Sequence, residues 1–283
     1  MGEVDLNEWV GRTTSVQDVV GPTPVVGLSA TLDHPPREVA VGSPLPPLWH
    51  WLYFLPVQRQ SELGPDGHPR RGGFLPPVEL PRRMWAGGRF VFHAPLLVGD
   101  AVVRTSTIED VVAKEGRTGP LVFVTVRHEV HRDGGRELAL VEHHDIVYRG
   151  ERRPDDVEPP PIVAPTGAAW QRRIVADEVL LFRYSALIFN GHRIHYDRRY
   201  VTEVEGYPGL VVHGPLLATL LLDLLHRHAP DADVAGFRFR AIRPTFDLHP
   251  FHVNGEPGDD STVRLWAQDH DGLLTMEAVA TLR

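Results

Sequence analysis

The chain has 283 residues, with 29 Lys and Arg against 37 Asp and Glu and a formal net charge of −8. That balance argues against a nucleic-acid partner, because phosphate neutralisation needs clustered cations, and the absence of cysteine removes disulfides, thiolate nucleophiles and Cys-bound zinc. With 42% hydrophobic and 23% charged residues, no run of ~18 apolar residues and no apolar leader, the expectation is a cytoplasmic globular protein, neither secreted nor membrane-spanning, with room for two domains.

The first organised feature along the chain is the aromatic, Pro-bracketed stretch "PPLWHWLYFLPV" from Pro46 to Val57, which offers the first half its weak helix candidate. Strand patterns follow. "RFVFHAPLLVGDAVVRTSTIEDVVAK", "PLVFVTVRHEVHR" and "RELALVEHHDIVYR" alternate apolar and polar positions, with turn signals at Gly99-Asp100, Gly116-Arg117 and Gly134-Gly135. The segment "RRPDDVEPPPIVAPTG" from Arg152 to Gly167 is built like a linker, since acids followed by three prolines make neither a helix nor a central strand. A boundary there divides the chain into units 1–158 and 159–283.

The second unit begins with "RRIVADEVLLFRYSALI", which reads as strand-like. It contains the strongest helix, "PLLATLLLDLLHRHA", where Pro215 suits the first turn and Leu216, Leu217, Leu220, Leu221, Leu224 and Leu225 form an apolar surface wide enough for near-complete burial. His226, Arg227 and His228 lie at its C-terminal end, where positive charge is favoured. Three further strand patterns, "VAGFRFRAIRPTFDL", "STVRLWAQD" and "LTMEAVATLR", close the chain. A buried helix followed by antiparallel strands predicts a sheet wrapped around that helix, and the two halves look like degenerate copies of one antiparallel unit.

Between these elements lies "FNGHRIHYD", residues 189–197, where His192, His195 and Asp197 follow Asn190. The residue types alone allow a metal triplet, a proton-transfer site or a polar turn. The i, i+3 histidine spacing without a further signature is weak evidence for a metal, and Asp197 suits a turn or cap. His195 has the titration range of a general base. Gly214 would present a free amide at a helix N-terminus, where a ligand oxygen is favoured.

"FNGHRIHYD…GYPGLVVHGPLLATLL" resembles the hydratase motif of the MaoC-like and R-specific enoyl-CoA hydratases. With "WVGR" and "PPLWHWLYFLP", nearly the whole chain is similar to the subgroup with two fused hot dog units, which includes mesaconyl-CoA and itaconyl-CoA hydratases and the mitochondrial 3-hydroxyacyl-thioester dehydratase. The resemblance implies an α+β double hot dog fold, in which the first unit lacks the catalytic motif and the second carries it. It implies reversible hydration of an enoyl-CoA with no metal and no redox cofactor, acting on a small-molecule thioester such as a C5 dicarboxylyl-CoA, and it leaves room for a homodimer. Carried over, His195 falls on the catalytic His and Gly214 on the glycine whose amide binds the thioester oxygen, while Asn190 stands where most of the family has Asp. Substrate or CoA contacts are expected from Arg193, His213, Arg89 and Arg243, with Arg82, Arg83, Arg238 and Arg240 as further cationic candidates. Arg193 is the one expected to reach a substrate carboxylate. Two rival readings follow from the same residues: a non-catalytic thioester-binding subunit, with Asn190 as the trace of lost chemistry, and a thioesterase.

Overall fold

The computed structural model describes residues 5–36, 38–116, 119–151, 160–259 and 261–283. The first half supplies β1 (Thr13–Val19), α1 (Pro22–Thr31), β2 (Arg82–Phe92), β3 (Ala101–Gly116), β4 (Gly119–Arg132) and β5 (Glu137–Arg149). The second half supplies β6 (Trp170–Ile174), α2 (Glu178–Leu187), α3 (Arg198–Glu203), α4 (Gly214–His228), β7 (Val234–Ala241), β8 (Phe251–Pro257), β9 (Thr262–Gln268) and β10 (Leu274–Leu282).

The ten strands among the described residues form one sheet in the order β1-β3-β4-β5-β2-β7-β10-β9-β8-β6, and neighbouring strands run antiparallel. The halves therefore join edge to edge, through β2 and β7, with Gly87 opposite Arg240 and Phe90 opposite Phe237. Gly87 sits where no side chain fits, because a Cβ there would stand 2.6 Å from the Phe239 carbonyl oxygen. The halves also meet where α1 packs on α2. The boundary at 158/159 itself lies outside the described residues.

α4 is the predicted helix. Its six stripe leucines are all buried, and it packs on β8, β9, β10 and β6. The Asp223 side chain, 7% exposed, binds His34 at 2.6 Å, Arg172 at 2.7 Å and Arg227 at 2.8 Å. That carboxylate ties α4 to β6 and to the chain just after α1.

Two assignments change. The aromatic stretch 46–57 forms only a 3-10 turn, Trp49–Leu52, since Leu48 and Phe54 adopt positive φ on either side of it. The helix of the first half is α1, whose sequence "PTPVVGLSAT" contains two prolines, a glycine and β-branched residues and is held by packing against α2 rather than by propensity. The segment 172–188 is a short strand followed by α2, which starts where the Asp177 side chain accepts the Leu180 N–H.

Candidate active site

The motif 189–197 is a chain of tight turns between α2 and α3. Phe189 takes a positive φ of 51°, Asn190 N–H donates to the Ser185 carbonyl at 2.8 Å, and the Asn190 side-chain oxygen accepts the His192 N–H at 2.9 Å. The oxygen of Asn190 thus holds the turn, and its NH2 has no hydrogen-bond partner among the described residues. Asp197 caps α3 by accepting the Tyr200 N–H at 3.0 Å.

This folding brings three histidine rings together. His195 stacks on His213 with centroids 3.7 Å apart and meets His192 edge-on at 5.4 Å. His195 Nδ1 lies 2.7 Å from the Val211 carbonyl oxygen. A carbonyl only accepts, so Nδ1 carries the proton and Nε2 is left as a lone-pair acceptor. Burial pushes the His195 pKa down to about 4, against the Val211 hydrogen bond that raises it, so the ring is neutral near pH 7 and its Nε2 is ready to take a proton.

His213 is fully buried and occupies the N-cap position of α4. Its Nε2 pairs with the Ser185 hydroxyl at 2.8 Å, while its Nδ1 has no partner among the described residues. Burial, then the neighbouring His195 and His192, lowers its pKa well below the ordinary value. Gly214 follows at the first helical position, where the amide has no intrahelical acceptor. A Cβ built there would meet no atom within 4 Å outside its own turn, so the space beside the Gly214 Cα is open.

The first half contributes a part that the sequence did not announce. The loop "GPDGHPR", residues 64–70, lies on the motif: Arg193 N–H donates to the Asp66 carbonyl at 2.9 Å, and the His68 ring sits 3.9 Å from that of His192. Gly67, at φ +88°, approaches so closely that a Cβ would fall 1.9 Å from the Gly191 oxygen. His68 Nδ1 pairs with the Asp66 carboxylate at 2.9 Å. Desolvation would raise the Asp66 pKa, but the His68 hydrogen bond and charge outweigh it and the pKa falls below the usual range. The only sequence signal was a His and an Asp within a Gly- and Pro-rich turn, some 120 residues from the motif.

Donor atoms of Asp66, His68 and His192 come within 4.8 Å of one another, so around the motif this trio, rather than His192, His195 and Asp197, has the geometry to hold a cation, as do His128, Glu142 and His144 and Asp269, His270 and Asp271 elsewhere. His195 and Asp197 are separated from such a role by their contacts to Val211 and Tyr200.

The arginines divide by face. The Arg193 guanidinium bonds Asp197 at 2.7 Å and the Pro65 carbonyl at 2.9 Å and lies over the Tyr200 ring, so its donors fasten the 64–70 loop instead of facing a ligand carboxylate. Arg89 stands on the outer face of the sheet, half-exposed and paired with Asp145 at 2.8 Å, opposite Arg238. Arg238 and Arg240 share that solvated face. Arg243 lies in the loop after β7, 3.5 Å from Asp269, in the segment whose Thr245 carbonyl accepts the Val212 N–H.

A ten-stranded antiparallel sheet among the described residues, with α4 buried against its second half, and a neutral imidazole beside a helix N-terminus, define a double hot dog protein with a site suited to acyl-thioester chemistry. A sequence model of hydroxyacyl-thioester dehydratase type 2 matches residues 48–247, and the chain belongs to that family. It is 46% identical to mesaconyl-C(4)-CoA hydratase of Chloroflexus aurantiacus, over 100% of this chain and 99% of that protein. It is 27% identical to the mitochondrial hydroxyacyl-thioester dehydratase type 2 of Schizosaccharomyces pombe, over 84% and 88% of the two chains. A Mycobacterium tuberculosis protein described as a double hotdog fold superimposes with a TM-score of 0.58 at 14% identity, covering 97% of this chain and 96% of its own.

Proposed function

We propose that this chain catalyses the reversible addition of water across the double bond of an enoyl-CoA, with a branched C5 dicarboxylyl thioester of the mesaconyl or itaconyl type as substrate. The observation that carries the reading is His195: a neutral ring with Nδ1 committed to Val211 and Nε2 free, stacked on the residue that precedes Gly214. In the hydration direction His195 Nε2 takes a proton from water as the water oxygen bonds the β-carbon. The π electrons move toward the thioester oxygen, which the Gly214 N–H and the α4 dipole stabilise, and the α-carbon then recovers a proton from the imidazolium. The Asn190 NH2 orients the attacking water or its product hydroxyl. Arg243, on the loop beside Val212, is assigned to the CoA moiety.

Turnover is expected to need no metal. Two features support this: Asp66 and His68 already satisfy each other, and the charge of Arg83 bears on both His68 and His192, which disfavours a further cation. The two units divide as residues 1–158 and 159–283, and the setting is cytoplasmic. No helix among the described residues is long and apolar enough to cross a membrane. A homodimer remains the expected assembly, read directly by light scattering.

The test is loss of enone absorbance with a panel of enoyl-CoAs, before and after exhaustive chelation. Turnover that survives chelation is the expected result. Activity lost with EDTA and restored by zinc would promote Asp66, His68 and His192 to ligands, and thioester cleavage without hydration would favour a thioesterase.

A further inference from the structure

The inner face of the first half of the sheet is polar where a core would be apolar. Ser106, His128, Glu142, Phe90 and Phe237 stand directly opposite one another across β3, β4, β5, β2 and β7. The next inner position of β5, His144, faces Gly88, and its ring lies tilted against Trp85 with centroids 4.1 Å apart. Glu142 is itself satisfied, by His50 at 2.9 Å and by the Trp51 indole at 3.3 Å. Arg104 lies on the same face, its Nε buried without a partner and its guanidinium over the Phe54 ring. His128, His144 and Arg104 keep some accessible surface although protein surrounds them closely.

Arg83 links this face to the catalytic motif. It stands opposite Tyr148 on the inner side of β2, on the same side as Trp85 and Phe90, and its charge acts on the Tyr148 hydroxyl against the effect of burial. It is near enough to His68, His192 and His144 to lower the pKa of all three. Arg89, Arg172, Arg193 and Arg227 each have a carboxylate within 4.0 Å, whereas no carboxylate among the described residues lies within that distance of Arg83. A partly buried guanidinium without a counter-ion, beside neutral histidines, is set up for an anion that arrives from outside.

We propose that Arg83 binds the free carboxylate of a dicarboxylic acyl group and so makes this site selective for dicarboxylyl over monocarboxylic thioesters. The inference rests on the hydratase reading and specifies its substrate class. In a C4 thioester of mesaconate the free carboxylate is attached to the β-carbon, the atom that receives the hydroxyl. A group recognising it must therefore stand near His195; Arg83 acts on His192, whose ring meets that of His195 edge-on, whereas Arg89 faces outward. The His192 and His68 rings, 3.9 Å apart, lie next to one another on that side.

The test compares kcat/KM for mesaconyl-C4-CoA and crotonyl-CoA in the parent chain and in Arg83→Leu, with Arg83→Lys as the conservative variant. The parent should prefer the dicarboxylyl substrate by ~10² or more, in keeping with sites built around a polar substrate group. Arg83→Leu should lose most of that preference, chiefly through a raised KM for mesaconyl-C4-CoA. Arg83→Lys should restore part of the preference. As a measurement that needs no variant, succinyl-CoA should inhibit the parent more strongly than butyryl-CoA, which differs in a methyl for the carboxylate. Equal loss on both substrates would assign Arg83 to the CoA moiety or to folding and overturn the proposal, as would equal inhibition by the two saturated thioesters. A parent that hydrates both enoyl-CoAs equally well sinks the Arg83 assignment alone, whereas one that hydrates neither sinks the hydratase reading beneath it.

Discussion

At the scale of single residues, the site separates a titrating group from a positioning one. His195→Ala should remove nearly all turnover, because an acid/base group contributes ~10²–10⁴-fold. Asn190→Ala should cost a smaller factor, since its side-chain oxygen holds the turn at His192 and its NH2 only orients. Asn190→Asp keeps the acceptor for the His192 N–H and adds a negative charge, which favours the protonated imidazole. The sign of the pH effect follows. Burial holds His195 down at about 4, so the acid limb of kcat/KM in the parent should lie well below pH 6.5, and in Asn190→Asp it should move up. A parent limb at or above 6.5 would mean that His195 is not the group being titrated. The motif was legible because its residues are contiguous; the use made of Asn190 was not, since which lone pair a side chain commits depends on the turn that forms around it. Arg193 shows the same limit. Its charge was visible in sequence, but the Pro65 carbonyl that it holds comes from 128 positions away.

Among elements, the loop 64–70 and helix α4 make different contributions. Gly67→Ala places a methyl where the Gly191 oxygen stands, 1.9 Å away, and strains a positive φ. The loop must lift, which separates His68 from His192. Turnover is expected to fall by up to ~10²-fold, as for misplaced catalytic groups, with little change in melting temperature because the loop is a surface segment. Unaltered kinetics in a folded Gly67→Ala protein would show that the loop is no part of the site. Asp223→Ala acts in the opposite way. It leaves Arg172 and Arg227 without their shared counter-ion inside the molecule, at a cost of about 3 kcal/mol, the lower end for a broken buried pair because both arginines keep partial solvent contact. Thermal melts should show a drop of several degrees, with the Michaelis constants of the folded fraction unchanged. α4 was legible because six leucines at helical spacing leave no alternative. α1 was not: "PTPVVGLSAT" has neither a stripe nor strong formers, and its helix depends on α2, which the sequence disguised as a strand by its β-branched and aromatic content.

For the whole molecule, the two halves depend on each other. The motif and α4 belong to the second, while Asp66, His68 and the polar inner face belong to the first, and β2 against β7 holds them in register. That arrangement keeps several histidines neutral inside the protein. Burial pushes His128 to about 3 and His144 and His195 to about 4. In the unfolded chain each titrates near 6.5. Since these folded-state values lie below the unfolded one, the unfolded chain binds protons first as pH falls, and stability is lost from about pH 6.5 down toward 4. Glu142 extends the loss. Desolvation would raise its pKa, but His50 outweighs that and holds it at about 2, so the stability it contributes is present above the ordinary carboxylate range and disappears as pH drops through it. Melting temperature should therefore be level above pH 7 and fall steadily below 6.5. The unfolding transition near pH 5 should be coupled to uptake of about three protons from His128, His144 and His195 alone. Calorimetric melts in buffers from pH 4 to 8 read both quantities, and a melting temperature that rose on acidification would mean that these rings are charged in the native protein, leaving His195 no free lone pair with which to start the reaction.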